Sequence, residues 1–203
     1  MRKKSDNRQI IGLVLAGGRS RRMGRDKGSL IFHGDAPQVR YVWTMLNEVC
    51  DRALVSAYGA QCESPAYHNL PLIADLDGVR GPAAGLLGAW SVHPDSALLV
   101  VAVDMPLVGL DMLNSLVAAR DSQSLATAFA HPDGTLEPLC TLWEARARGP
   151  VAARAASGKF SLRELLEESS VVALEVGDPS RLVGVNTIED YSRVRQRLRL
   201  AGG

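Results

Sequence analysis

Apolar residues cluster in short runs: Ile10 to Ala16, Ala53 to Ala57, Leu70 to Ile73, Ala97 to Val103, Ala126 to Ala130 and Val171 to Val176. Runs of this length without polar alternation predict strands covered on both faces, the pattern of a largely parallel sheet. The intervening segments keep a helical period. Val39, Val42, Trp43, Leu46 and Val49 predict a helix over Pro37 to Cys50, with the proline suited to its first turn. A second helix is predicted from Pro82 through Leu86, Leu87 and Trp90, and a third puts Leu110, Leu113, Leu116 and Val117 on one stripe. Ser161 with Glu164, and Thr187 with Asp190, have capping-box spacing, so helices are predicted to start there too. Strands and helices alternating in this way predict an α/β fold of three layers (α/β/α) with a mostly parallel sheet in the middle. Residues 1–9 are polar and charged and predict a flexible tail, neither signal peptide nor anchor; residues 10–203 show no repeat or dividing linker and predict one domain.

Composition narrows the function classes. A chain of 203 residues suffices to bury roughly 70% of its unfolded surface without disulfides or a structural metal. Lys plus Arg number 23 against 22 Asp plus Glu, so the overall balance argues against a nucleic-acid or membrane surface. Cys50, Cys62 and Cys140 are too widely spaced for a zinc knuckle or a CxxC pair, and their odd number argues against a disulfide framework. A reducing, cytoplasmic location is expected. His33, His68, His93 and His131 have no spacing that suggests metal ligation or a nucleophile-base pair.

The strongest chemical signal follows the first run: Leu13-Val14-Leu15-Ala16-Gly17-Gly18-Arg19-Ser20-Arg21-Arg22-Met23-Gly24-Arg25-Asp26-Lys27. In an open α/β sheet the loop after a strand's carboxyl end is where ligands bind. Paired glycines let backbone N–H groups approach phosphate oxygens, and the Arg/Lys cluster adds charge-assisted bonds. The spacing is neither a Walker A loop nor GxGxxG. A second signal is the run ending Val103-Asp104-Met105-Pro106. A carboxylate there can cap a turn, or can supply the one or two carboxylate oxygens that magnesium takes alongside substrate phosphates. Between these lie Asp75-Leu76-Asp77 and Gly81-Pro82-Ala83-Ala84-Gly85.

The first loop closely resembles the LAGGxSxRMGxDK signature of the MobA-type molybdenum cofactor guanylyltransferases, a branch of the sugar-nucleotide-like nucleotidyltransferases. Asp104-Met105-Pro106 resembles that family's DxP motif, and the segment from Asp75 to Gly85 its aspartate followed by GPLAG, with Ala83 in place of leucine. The likeness extends from Ile10 to about Tyr191 and implies a Rossmann-like nucleotidyltransferase fold. It implies that Leu15, Ala16, Gly17, Gly18 and Asp75 contact the nucleotide, that Lys27 and Arg22 hold phosphates, and that Asp104 coordinates Mg²⁺. A cation at the end of the loop would also neutralise charge developing on leaving pyrophosphate; Asp26 is expected to orient Lys27 or its loop. Gly184-Val185-Asn186-Thr187-Ile188-Glu189-Asp190 resembles VNTPED, with Ile188 for proline, and marks Asn186 as an acceptor contact, although capping alone explains these residues. Glu137, in Glu137-Pro138-Leu139, matches an EPL or HPL strand start beside the acceptor pocket. Ser56 stands where several relatives carry asparagine.

The implied reaction is transfer of GMP from GTP to molybdopterin with release of pyrophosphate, with transient contact to molybdoenzymes or cofactor-biosynthesis proteins and no nucleic-acid or membrane partner. Two alternatives stay open. One is the same chemistry on CTP, or on a sugar or alcohol phosphate, against which Gly17 and Met23 weigh because cytidine-using relatives usually carry LAAG. The other is a GTP-binding module without catalysis, against which the retention of Lys27 and Asp104 weighs.

Overall fold

The computed structural model describes residues 9–17 and 26–201. Its centre is a sheet of β1 (Ile10–Leu15), β4 (Arg52–Ala57), β5 (Leu72–Ala74), β6 (Ala97–Ala102), β7 (Ala126–Ala130), β8 (Leu136–Trp143) and β9 (Val171–Glu175), in the order β5-β4-β1-β6-β8-β7-β9. Neighbours pair in parallel except around β8, which is antiparallel to both β6 and β7. β2 (Ile31–His33) and β3 (Ala36–Pro37) form a small separate hairpin. The helices are α1 (Gln38–Val49), α2 (Pro82–Val92), α3 (Leu110–Ala118), α4 (Arg148–Ala156), α5 (Leu162–Glu167) and α6 (Ile188–Ala201).

Strand side chains point alternately to opposite faces, and both faces are buried. Leu99 and Val101 of β6 join Val42, Leu46, Leu113 and Leu116 of α1 and α3 in one core. Leu98 and Val100 join Leu86 and Trp90 of α2, Val151 of α4 and Leu165 of α5 in the other. Three layers follow, because a strand with two apolar faces leaves the sheet needing cover on each side. The predicted α/β fold with a mostly parallel sheet between helices is the one observed.

Two departures from the predicted elements have a common cause in proline. β5 begins at Leu72 and not Leu70; Pro71 accepts a bond from the Val55 N–H at 3.0 Å but has no N–H to return. β8 lies inside the sheet yet contains Pro138, where the sequence predicts only a strand start. Its pairing with β6 covers residues 140–143, and its register with β7 shifts between Ala128 and Ala130, so the proline sits where no ladder bond is required. The helix predicted from Pro37 begins at Gln38, with Pro37 as its cap. At Ser161 half of the predicted box forms: the hydroxyl accepts from Glu164 N at 3.2 Å, while the Glu164 carboxylate pairs with Arg154 at 2.7 Å.

Chain order explains where a ligand cleft opens. From β1 the chain moves outward to β4 and β5, then returns through α2 to lay β6 on the other side of β1. Loops leaving β1 and β6 therefore diverge, and a crevice forms at their carboxyl ends. α2 lies very close to this edge. A Cβ at Gly85 would stand 2.5 Å from Leu15 Cδ2 and 2.7 Å from Ser56 Oγ, and one at Gly88 would overlap the Ala74 carbonyl oxygen. Alanine at 88 adds about 1 kcal/mol of helix propensity but must push α2 away from backbone, an overpacking cost of about 1–3 kcal/mol. Gly88→Ala is accordingly expected to lower Tm by several degrees in a thermal melt and, because Asp75 follows Ala74, to displace Asp75.

Candidate active site

A cleft of about 350 Å³ occupies this crevice, walled by Leu15, Ala16 and Gly17 after β1, Ser56 of β4, Asp75 after β5, Gly81, Pro82 and Gly85 at the start of α2, Asp104 after β6, and Lys27. Gly81 has φ 66°, a conformation glycine adopts without Cβ strain, and Pro82 then takes the first helical position. The predicted residues Leu15, Ala16, Gly17, Lys27, Asp75 and Asp104 thus meet in one place. Gly18 and Arg22 lie outside the described residues.

Lys27 Nζ is 2.8 Å from Asp104 Oδ2 and 2.7 Å from Asn186 Oδ1, joining positions 77 and 159 residues away in the chain. Asn186 is carried there by α6. Tyr191 OH donates to the Ile31 carbonyl at 3.1 Å, the Phe32 and Tyr191 rings meet edge-on, and Val185 N donates to the Asp104 carbonyl at 2.7 Å. The capping box at Thr187 and Asp190 is complete: Asp190 Oδ2 accepts from Thr187 N at 3.0 Å and Asp190 N donates to Thr187 Oγ1 at 3.1 Å. These backbone and side-chain donors hold the Asp190 carboxyl below its ordinary range, with Asn186 N the largest cause. Asn186 is therefore both part of a capped helix start and a neighbour of Lys27.

In the described part of the turn after β1 the backbone donors have partners within the protein. Ala16 N and Gly17 N both donate to the Ser56 carbonyl at 3.0 Å, so these two N–H groups are satisfied within the protein. Among the described residues lining the cleft, the cation available to phosphate is the Lys27 ammonium. Asp75 faces Gly17, where a Cβ would stand 2.8 Å from Oδ2, and its Oδ1 accepts from the Ser56 hydroxyl. Asp26 is engaged elsewhere: Oδ1 accepts from Gln61 Nε2 at 2.7 Å and Tyr67 OH at 3.1 Å, and Oδ2 from Ser29 Oγ at 2.8 Å. Burial, and then the charge of Asp26, push the Tyr67 phenol well above its ordinary pKa, so it remains a donor.

Glu137 is not among the residues lining the cleft. It is 5% exposed, with Oε1 accepting from Leu139 N at 2.8 Å and Oε2 standing 3.3 Å from His131 Nε2; Leu139 is the β8 residue that reaches the cleft. Gln61 also lines the cleft. Nothing in its sequence neighbourhood signals this role, since its partners come from β1 and from the Asp26 turn.

Among the described residues no group of three or more His, Cys, Asp or Glu converges as a self-contained metal site. Asp104 offers a single carboxylate on the cleft wall, a donor set that fits a magnesium ion sharing its shell with substrate phosphates and water. Among the described residues lining the cleft, the carboxylates of Asp26, Asp75 and Asp104 stand beside the ammonium of Lys27. No helix among the described residues is long and apolar enough to cross a membrane.

Known proteins resemble this chain over most of its length. The chain is 30% identical to the molybdenum cofactor guanylyltransferase of Cereibacter sphaeroides, covering 94% of this chain and 98% of that protein. It is 27% identical to a molybdenum cofactor biosynthesis bifunctional protein of Synechocystis over 91% of this chain, and spans only about half, 53%, of that longer protein. The fold matches the crystal structure of molybdopterin-guanine dinucleotide biosynthesis protein A from Archaeoglobus fulgidus with a TM-score of 0.78 and 21% identity, over 94% of this chain and 99% of that one. Residues 12–173 match the MobA-like NTP transferase domain, and with β1, α2 and β6 building the cleft inside that span, the chain belongs to the MobA-like NTP transferase family.

Proposed function

We propose that the protein transfers GMP from GTP to molybdopterin in a magnesium-dependent reaction, forming the guanine dinucleotide cofactor and releasing pyrophosphate. The observation that carries this reading is the meeting of Lys27, Asp104 and Asp75 around one cleft at the strand crossover. The relatives named as molybdenum cofactor guanylyltransferases supply the substrates. A terminal phosphate oxygen of molybdopterin attacks the α-phosphorus of GTP, the bond from that phosphorus to the bridging oxygen of the β-phosphate breaks, and pyrophosphate leaves with the electron pair. The attacking group is already an anion, so the protein's work is positioning and charge screening, with no covalent intermediate.

Lys27 holds triphosphate oxygens, and Arg22 adds a second cation to the same group. Asp104 is the protein's ligand for Mg²⁺, which when bound would neutralise charge on the phosphates. Asp75 and the turn from Leu15 to Gly18 contact the nucleoside, and Asn186, hydrogen-bonded to Lys27, contacts the acceptor. Pyrophosphate release is to be measured from GTP, CTP, ATP and UTP with and without molybdopterin and Mg²⁺. The expected result is release from GTP alone, dependent on both acceptor and metal. Release from CTP would give a cytidylyltransferase, and GTP binding without release in the presence of molybdopterin would give a binding module.

A further inference from the structure

We infer that Gln61 is a positioning residue for the triphosphate, acting as a clasp that ties together the two stems of the glycine- and arginine-bearing segment. Its amide nitrogen donates to the Ala16 carbonyl at 2.9 Å, where the chain leaves β1, and to Asp26 Oδ1 at 2.7 Å, where it enters the 3-10 turn Lys27–Ser29. An amide carries two N–H bonds, and both are used. The Tyr58 N–H donates to Gln61 Oε1 at 3.2 Å, so the amide orientation is set by its own network: turned over, its oxygen would face two acceptors. Tyr67 OH supports the same Asp26 oxygen from 3.1 Å.

One side chain from the β4 to β5 connection thereby sets the distance between Ala16 and Asp26. Lys27 follows Asp26 directly, and the Ala16 and Gly17 backbone borders Asp75. The clasp therefore sets the spacing between the cation meant for phosphate and the turn meant for the nucleoside. This inference rests on the proposed nucleotidyl transfer.

Gln61→Glu keeps the shape, removes both donors and places a carboxylate against Asp26. The expected effect is a rise of about ten- to a hundredfold in KM for Mg-GTP, with kcat changed much less, in protein whose thermal melt shows it folded. Asp26→Asn added to Gln61→Glu restores one hydrogen bond with donor and acceptor exchanged, and is expected to recover part of the lost affinity; a general packing defect would not respond to that exchange. Because the Ala16 contact stays broken, recovery is incomplete. Folded Gln61→Glu protein with wild-type KM, or a double variant in which Asp26→Asn deepens the loss, would overturn the clasp. Wild-type protein that binds no triphosphate would overturn the functional reading and the clasp with it, whereas wild-type binding alongside an unaffected variant would overturn the clasp alone.

Discussion

Asp104→Ala is expected to reduce acceptor-dependent pyrophosphate release by at least about a hundred- to a thousandfold, the scale on which removing one strong electrostatic contact to a reacting group is felt. The fold should survive. The Asp104 carbonyl that accepts from Val185 N is backbone and remains in alanine. The lost ion pair to Lys27 joins groups 18% and 25% exposed, and screened pairs of this kind contribute about 0–1 kcal/mol. A thermal melt close to wild type beside lost turnover is therefore the predicted signature. Asp104→Asn preserves volume and removes only the charge, so a loss nearly as large would assign the effect to the anion. Near-normal turnover in the alanine variant would remove Asp104 from the metal site.

Lys27→Ala carries the second large effect, about a hundred- to a thousandfold in kcat/KM for GTP. Two changes act in the same direction. The cleft loses its described cation, and Asp104 loses the ammonium at 2.8 Å that offsets its charge. Repulsion of a triphosphate therefore increases as attraction falls, and the loss should be larger at low magnesium. Lys27→Arg is not expected to restore activity. A compact ammonium sits 2.8 Å from Asp104 and 2.7 Å from Asn186, whereas a planar guanidinium presents its donors as a wider fork. Single-turnover rates set beside direct GTP binding divide the effect between transition state and ground state. Unchanged binding and rate would remove Lys27 from the phosphate site.

None of the three cysteines lines the cleft. Burial pushes the Cys50 thiol up to about 12 and raises the buried Cys140 thiol as well, so neither supplies thiolate near neutral pH.

The parts of the molecule legible in the sequence are those governed by short-range physics. Apolar runs revealed β1, β4, β6 and β7, since a strand covered on both faces needs an apolar residue at nearly every position; the run at β9 marks an edge strand that is only partly buried. Proline and glycine marked the start of α2 because ring closure and a positive φ constrain a backbone whatever lies around it. Lys27, Asp75 and Asp104 could be named because they stand in segments that resemble the motifs of a known family; for Lys27 and Asp104 the place after a buried apolar strand pointed the same way. The tertiary structure decided what depends on partners distant in the chain. β8 could not be read as an interior strand because only its pairing shows that Pro138 falls at a register shift. Glu137 could not be placed until the fold turned its carboxylate onto Leu139 N and His131. The contact of Asn186 with Lys27 and the span of Gln61 between Ala16 and Asp26 arise because the sheet order brings separate loops to one edge. Local periodicity records which face of an element is buried; it carries no information on which other element covers that face.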